Sequence, residues 1–421
     1  MDLSPPRGTR DFFPGDMRLR SWLFGHFREV ARGFGFEEYD APVVESAELY
    51  VRKAGEEIVD QLYTFQDKSS RELALRPEMT PSLARMVLQK GGALGLPIKW
   101  FSLPQCWRYE RMSRGRRREH FQWNMDIVGV DDVTAEAELL AALVALFKRL
   151  GLGPGDVAIR LSNRRLLQVV LTDAGVTHKL FAPVCVLVDK LEKIPRETVE
   201  DQLRDLGVDS GVIDRVLEVA SCTCLEDAEK FVGGDNGLDD VQRLFDLGAS
   251  YGIAEWLRFD PSLVRGLAYY TGTVFEAFST EGELRAICGG GRYDRLLSTF
   301  GGKDVPACGF GFGDAVIVEL LKDEGLMPQL PAAVDDVVFA FSDDLRGPAI
   351  EITQRLRAGG RSVDLILDEG KRMKWAFRHA DSVGAARLVL LAPDEWERGV
   401  IRVRDMSSGE ERDVTPGELA S

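Results

Sequence analysis

The segment QCWRYERMSRGRRREHFQWNMD, residues 105–126, holds the densest set of side chains able to do chemistry. In its second half His120, Gln122, Asn124 and Asp126 alternate with Phe121, Trp123, Met125 and Ile127. That is the period of a strand, polar on one face and apolar on the other. In its first half Cys106, Arg108 and Glu110 alternate with Trp107 and Tyr109. Between the runs Arg111, Arg114, Arg116, Arg117 and Arg118 cluster about Gly115, so the segment predicts a β-hairpin with a polar face and a mobile cationic tip. An arginine, a glutamate, a glutamine and an aspartate on one sheet surface suit a ligand that is small, polar and partly anionic. The planar guanidinium fork pairs two oxygens of a phosphate or carboxylate. Taken alone, the same pattern also describes a solvated hairpin with ordinary surface charge.

The elements that must position this hairpin are legible on both sides of it. Residues 17–33 repeat Leu19, Trp22, Leu23, His26, Phe27 and Val30 at helical spacing, with His26 as a packed or snorkelling residue. Residues 39–44 predict a short strand interrupted by Pro42, which lacks the N–H of a ladder bond and so suits an edge. Residues 81–90 and 135–150 predict helices, and residues 165–250 a helical insertion. Residues 273–279 and 283–288 predict a hairpin about Glu281–Gly282, and residues 307–312 a strand before a helix over 314–321. Residues 325–334, with Pro328 and Pro331, form the best linker. Beyond it VVFAF, SVDLIL and RLVLLA alternate with helices, and two final strands close a small α/β domain. The expected domains are 1–325 and 335–421.

Composition bounds the function classes. A chain of 421 residues with 45% hydrophobic and 29% charged residues is an ordinary globular protein of two or three domains. It has no apolar run long enough for a membrane span, no secretory signal, and six scattered cysteines in neither a disulfide framework nor a paired zinc pattern. These features predict a reducing, cytoplasmic setting. The net charge of −15 opposes indiscriminate nucleic-acid binding, yet six of the eleven residues 108–118 are arginine. Salt screens exposed charges beyond about 8 Å, so such a patch acts locally.

Four segments in this order sharpen the reading: LRPEMT (75–80), the hairpin, VRGLAYYTG (264–272) and CGGGRYD (288–294). With RGTRDFFPGD at 7–16, the chain resembles the class II histidyl-tRNA synthetase family from about residue 5 to the C-terminal strands. The resemblance implies an α+β fold: an antiparallel catalytic sheet flanked by helices, a helical insertion, and a C-terminal α/β anticodon-binding domain. It also implies a homodimer, built through the unit of residues 17–44.

The reaction it implies has two steps. The carboxylate of L-histidine attacks the α-phosphate of ATP, giving histidyl-adenylate and pyrophosphate; a terminal ribose hydroxyl of tRNA(His) then takes the acyl group. Such a transfer needs positioning and charge neutralisation more than a protein nucleophile. The resemblance assigns Arg108 and Arg265 to opposite sides of the α-phosphate and the amino-acid carboxylate. Glu78 and Thr80 match acceptors for the ammonium group. Gln122 and Asp126 face the imidazole, which needs a partner on each nitrogen, and Tyr269 and Tyr270 complete the pocket. Glu110, Arg116 and His120 match the nucleotide contacts, with Arg292 as a further phosphate candidate. Mg²⁺ would travel with the pyrophosphate portion rather than on protein ligands. The glycine-rich segments GFGFGD and CGGGRYD lack the spacing of parallel-sheet nucleotide loops and read as close backbone approaches.

Three positions depart from the family pattern. His120 stands where many members have Phe, Ala268 where many have Asp, and Val316 where the third class II motif carries a γ-phosphate-binding arginine. Two other readings stay open on these departures: the synthetase-like regulatory subunit of ATP phosphoribosyltransferase, which binds histidine without charging tRNA, and a non-catalytic RNA-binding protein.

Overall fold

The computed structural model describes residues 3–51, 60–191, 194–233, 236–263, 269–281, 284–330, 334–368 and 370–420. The chain divides into two compact units, Met1–Pro328 and Gln329–Ser421, the cut falling inside the proline-bearing stretch.

The first unit is built on one mostly antiparallel sheet. Its strands are β1 (Glu37–Glu38), β5 (Ile98–Ser102), β6 (Gln105–Trp107), β7 (Glu119–Val128), β8 (Val157–Asn163), β9 (Leu257–Phe259), β10 (Thr273–Ser279), β11 (Cys288–Arg292) and β12 (Ala307–Gly313). They run in the order β1-β5-β7-β12-β11-β10-β8-β9, with β6 paired to the far end of β7. A small second sheet, β2 (Val44–Ser46), β4 (Glu72–Leu75) and β3 (Tyr63–Gln66), stands beside it.

One face of the large sheet is covered by helices. The helix Pro14–Gly33 begins with Pro at its first position, where a missing N–H costs nothing, and the Asp16 carboxylate accepts the Phe13 N–H. Its buried stripe, Leu23, Phe27, Val30 and Ala31, packs with the helix Thr134–Arg149 against the apolar side of β7 and β12. Phe27 stacks on Trp123 at 5.0 Å, and Phe310 and Phe312 meet the same indole edge-on. The period-2 reading of β7 therefore holds: Trp123, Met125 and Ile127 enter the core, and the alternate residues stay on the opposite face.

Among the described residues the insertion contains six helices, from Arg164–Asp173 to Leu238–Ser250. Leu161, Ser162 and Asn163 end β8 just before it, and the Asn163 side chain caps the first helix by accepting the Arg165 N–H. Two expectations shift. Residues 39–43 are not strand: after the Tyr39 N–H reaches the Phe101 carbonyl, the chain passes Pro42 and joins the other sheet at β2. Residues 284–287 are not strand either. The partner of β10 is the glycine run itself, Cys288–Arg292, paired Val274 to Gly291 through Ala277 to Cys288. The turn expected at Glu281–Gly282 reaches residues outside those described.

The second unit has a five-stranded sheet, β14 (Val363–Leu365), β13 (Asp336–Ala340), β15 (Arg387–Leu391), β16 (Ile401–Asp405) and β17 (Glu411–Val414) in that order. β14, β13 and β15 are parallel, linked through the helices Arg346–Ala358 and Met373–Ser382, and β16 and β17 close it antiparallel. Alternate strand residues face two separate cores. Val338, Val389 and Leu391 pack with Ile352 and Leu356 of the first helix, whereas Val337, Phe339, Leu388 and Leu390 pack with Ala376 and Ala380 of the second.

Candidate active site

The opposite face of the large sheet, where the helix Thr80–Lys90 packs on Ile98, Val128 and Ala307, carries the polar residues. Opposed residues in an antiparallel ladder point to the same side. Gln122, Asn124 and Asp126 of β7 lie opposite Gly313, Gly311 and Gly309 of β12, and Gly311 and Gly309 lie opposite Gly289 and Gly291 of β11. The face thus has a row of carboxamides and a carboxylate beside a floor with no side chains. Two of these glycines, Gly309 and Gly291, are sterically required. A Cβ on Gly309 would sit 2.1 Å from Asp126 Oδ1 and 2.8 Å from the Met125 carbonyl, and one on Gly291 would be 2.6 Å from the Thr273 carbonyl. These are close approaches within strands, as the glycine-rich runs predicted.

Two buried carboxylates stand at one end of this floor. Glu78 precedes the helix Thr80–Lys90, and its Oε2 accepts from Tyr269 at 3.2 Å. Asp126 Oδ1 accepts from Tyr293. Tyr269 meets Tyr270 at 5.0 Å and Tyr293 edge-on at 5.8 Å, so three phenols join the two acids. Burial, then the nearby carboxylate, pushes the Tyr269 and Tyr293 phenols well above their ordinary range, and burial with Glu78 and Asp126 raises Tyr270. All three remain neutral donors. Thr80 is buried beside Tyr269.

Arg76 of LRPEMT sets this geometry as a strut. It is 2% exposed and donates to Asp40, Ala41 O and Gln105 O at 2.8, 2.6 and 2.9 Å, tying three segments together. Arg108 Nε donates to Pro77 O at 2.9 Å, which fixes its guanidinium next to Glu78's own segment. Gln122 Oε1 accepts from the buried Cys106 thiol at 3.6 Å. Burial pushes that thiol up to about 12, so it stays protonated. His120 lies across from Cys106 in the ladder. Burial, then Arg108, Arg10 and Arg116, drives its imidazole down to about 3, so it is neutral at physiological pH.

The arginine loop is more tied down than its sequence suggests. Arg116 pairs with Glu110, Arg118 lies 3.9 Å over the Tyr109 ring, and Arg114 reaches Glu319 and Asp323 at 3.2 and 2.5 Å. Ser113 and Arg116 bridge across the tip, where Gly115 has a φ of +71°. Val316 is 7% exposed and belongs to the core; a Cβ on Gly115 would come within 3.1 Å of it. The helix Asp314–Asp323 therefore turns this residue inward, under the loop.

One expected phosphate contact is corrected. Arg292 belongs to the core-facing parity of β11, opposite Cys308, on the other side of the sheet from Asp126 and Gln122. It donates to Glu136 at 2.7 and 2.6 Å and to the Val130 and Asp132 carbonyls. It is a buried strut between the sheet and the helix Thr134–Arg149. Arg265 and Ala268 lie outside the described residues.

The chain matches the family described as histidyl-tRNA synthetase over residues 8–314 and the anticodon binding domain over 335–421. The chain belongs to the histidyl-tRNA synthetase family. Its relatives include the chloroplastic/mitochondrial histidine–tRNA ligase of Arabidopsis thaliana, 54% identical over 100% of this chain and 86% of the relative. Histidine–tRNA ligases of Opitutus terrae, 42% identical over 97% of this chain and 94% of the relative, and of Thermococcus kodakarensis, 36% identical over 98% and 96%, also match. A histidyl-tRNA synthetase structure from Nostoc superposes with a TM-score of 0.82 at 23% identity, covering 100% of this chain and 99% of that one. A Bacillus halodurans structure described as ATP phosphoribosyltransferase regulatory subunit/histidyl-tRNA synthetase reaches 0.77 at 23% identity, over 91% of this chain and 97% of that one. At that identity both likenesses speak to fold.

Three residues of this family member carry the site without having been singled out from sequence. Tyr293 holds Asp126, and its place in GGGRYD next to Arg292 was the available signal. Cys106 holds Gln122, and the period-2 pattern already put both on one face. Arg10 links Glu119 at 3.3 Å to Asp314 at 3.0 Å, while Asp314 also accepts the Phe121 N–H at 3.0 Å. That long-range bridge between the first segment, the hairpin and the third motif has no local signature.

Proposed function

We propose that this chain ligates L-histidine to tRNA(His) through histidyl-adenylate, as an ATP-dependent class II synthetase. The observation that carries this reading is the pair of buried carboxylates, Glu78 and Asp126, bracketed by three neutral tyrosines at the end of a side-chain-free floor. Glu78 and Thr80 accept the substrate ammonium. Gln122 and Asp126 take the two imidazole nitrogens, one a donor and one an acceptor, and Tyr269 and Tyr270 wall the ring. Arg108 neutralises the carboxylate and α-phosphate, and Arg265 is assigned the opposite side. Arg116 and Glu110 are the distal-phosphate and adenine contacts, with the neutral His120 stacking on the base.

Mg²⁺ is assigned to the nucleotide. Its phosphate oxygens and water would carry the cation. The chain's own residues bind and orient; attack by the histidine carboxylate then needs no protein nucleophile.

Residues 1–325 are proposed as the catalytic domain and 335–421 as the anticodon-binding domain. The protein is proposed to work as a homodimer in a reducing, cytoplasm-like compartment. Val43, Val44 and Phe65, 38%, 41% and 42% exposed near the small sheet, support a partner there. No described helix is long and apolar enough to cross a membrane. The regulatory-subunit reading is less favoured, because the chain keeps both the carboxylate pair and the anticodon-domain match. Histidine-dependent ATP–pyrophosphate exchange followed by charging of a tRNA(His) transcript tests the proposal. Histidine binding without exchange would favour the regulatory reading.

A further inference from the structure

Within a chain of net charge −15, residues 371–379 (KRMKWAFRH) carry four Lys or Arg, one His and no acid. They open the helix Met373–Ser382 of the second unit. Lys371 pairs with Asp368 at 2.7 Å, and several basic side chains elsewhere in this unit are also matched by acids. Arg402 pairs with Glu395 and Asp413, Arg398 with Asp413, and Arg404 with Glu411. On the helix, Arg372, Lys374 and Arg378 are exposed.

The same helix holds a preformed ring stack. Trp375 and His379, one turn apart, lie face to face at 4.8 Å and 9°. Lys371 Nζ lies over the indole at 5.1 Å from its centroid. His379 Nε2 is hydrogen-bonded to Asp364 Oδ2 at 2.7 Å, so β14 holds the imidazole plane. Trp375, Arg378, His379 and Ser382 line an open cavity of about 470 Å³. A rigid aromatic pair, an open space against it and a cation at its rim are the parts that hold an unstacked nucleobase and its phosphate. Stacking tolerates any base, while arginine takes the backbone. An acidic peptide would use the cations but leave the ring stack idle.

We propose that the Trp375–His379 stack is the platform on which an unpaired base of the tRNA docks, with Arg378 holding the adjoining phosphate. This rests on the assignment of residues 335–421 to tRNA binding and adds the site within it.

The test uses the full chain and an in vitro transcript of tRNA(His). Hydrogen exchange with and without transcript should protect residues 371–382. His379→Ala and Arg378→Glu should each raise the KM for the transcript at least tenfold, leaving histidine-dependent ATP–pyrophosphate exchange and the melting temperature of the unit unchanged. His379→Phe, which keeps a flat ring but loses the Asp364 bond, should restore most of the tRNA affinity. Protection elsewhere in 335–421, with unchanged KM in both variants, overturns the platform and leaves the domain assignment standing. Charging without any protection in 335–421 overturns the assignment as well. Failure of His379→Phe to rescue would mean that the imidazole acts through Asp364 and not by stacking.

Discussion

Asp126 is the residue on which histidine selectivity should turn. It is 2% exposed, held by Tyr293, and opposed by Gly309, whose missing Cβ leaves room for the carboxylate. Removing a buried partner costs roughly 1–3 kcal/mol, more when it is charged. Steady-state kinetics of Asp126→Ala should therefore show kcat/KM for histidine reduced about tenfold or more, with the ATP KM nearly unchanged. His120 gives a second prediction at this scale. Its imidazole takes a proton near 6.5 when unfolded but only at about 3 in the folded chain. The folded pKa is depressed, so the stabilising contribution is complete above about pH 6.5 and is lost as pH falls toward 3. Denaturation measured from pH 7 to pH 5 should show a smaller loss of stability for His120→Phe than for the parent. Parallel curves would mean that His120 titrates normally. Val316, at the position where the family's third motif carries an arginine, is turned into the core, so the proposed nucleotide site needs another cation for the γ-phosphate. Arg116→Ala should raise the ATP KM several-fold while histidine binding stays within twofold; an unchanged ATP KM would remove Arg116 from the nucleotide site.

Elements are joined by buried ion pairs, and these should act through stability. Arg292 and Glu136, 8% and 0% exposed at their side chains, pin β11 to the helix Thr134–Arg149. Breaking such a pair from one side leaves an unpaired buried charge, at a cost of about 3–5 kcal/mol. Chemical denaturation of Arg292→Leu should show a loss of that order, and the double variant Arg292→Leu, Glu136→Leu should recover much of it. Recovery is expected because the charge that remains, not the missing attraction, dominates the penalty. A stable Arg292→Leu protein with a raised ATP KM would instead return Arg292 to the nucleotide site. Arg10 joins the first segment to the hairpin and to the helix Asp314–Asp323 in the same manner, though partly exposed.

At the scale of the whole molecule, the two units have separate cores and separate sheets. A chain ended after Pro328 should stay folded, retain measurable histidine-dependent ATP–pyrophosphate exchange and lose most tRNA charging. Equal loss of both activities in a folded, truncated protein would contradict a division of labour between the units.

Much of this was legible in the chain before any tertiary contact was known. Strict alternation from His120 to Ile127 was enough to assign one face to the core and one to the opposite, polar side of the sheet, because strand side chains have a period of two. The proline-bearing stretch after residue 325 was enough to divide the chain, and the strand–helix alternation beyond it to predict the second sheet. Local signals failed where pairing across the sheet decides. Arg292 and Asp126 look equally chemical in sequence, yet β11 pairs so that Arg292 shares Cys308's face and Gly291 shares Gly309's, and a one-residue change of register would exchange them. The run 284–287 looks more strand-like than the glycines after it, but only glycine permits Gly290 to approach the Gly309 carbonyl and Phe275, where a Cβ would sit at 2.5 Å from each. Residue types thus determined which chemistry was available and which segments would be strands or helices. Register, set by long-range packing, decided which side chains lie on the glycine-floored face and which, like Arg292, hold the sheet to its helices.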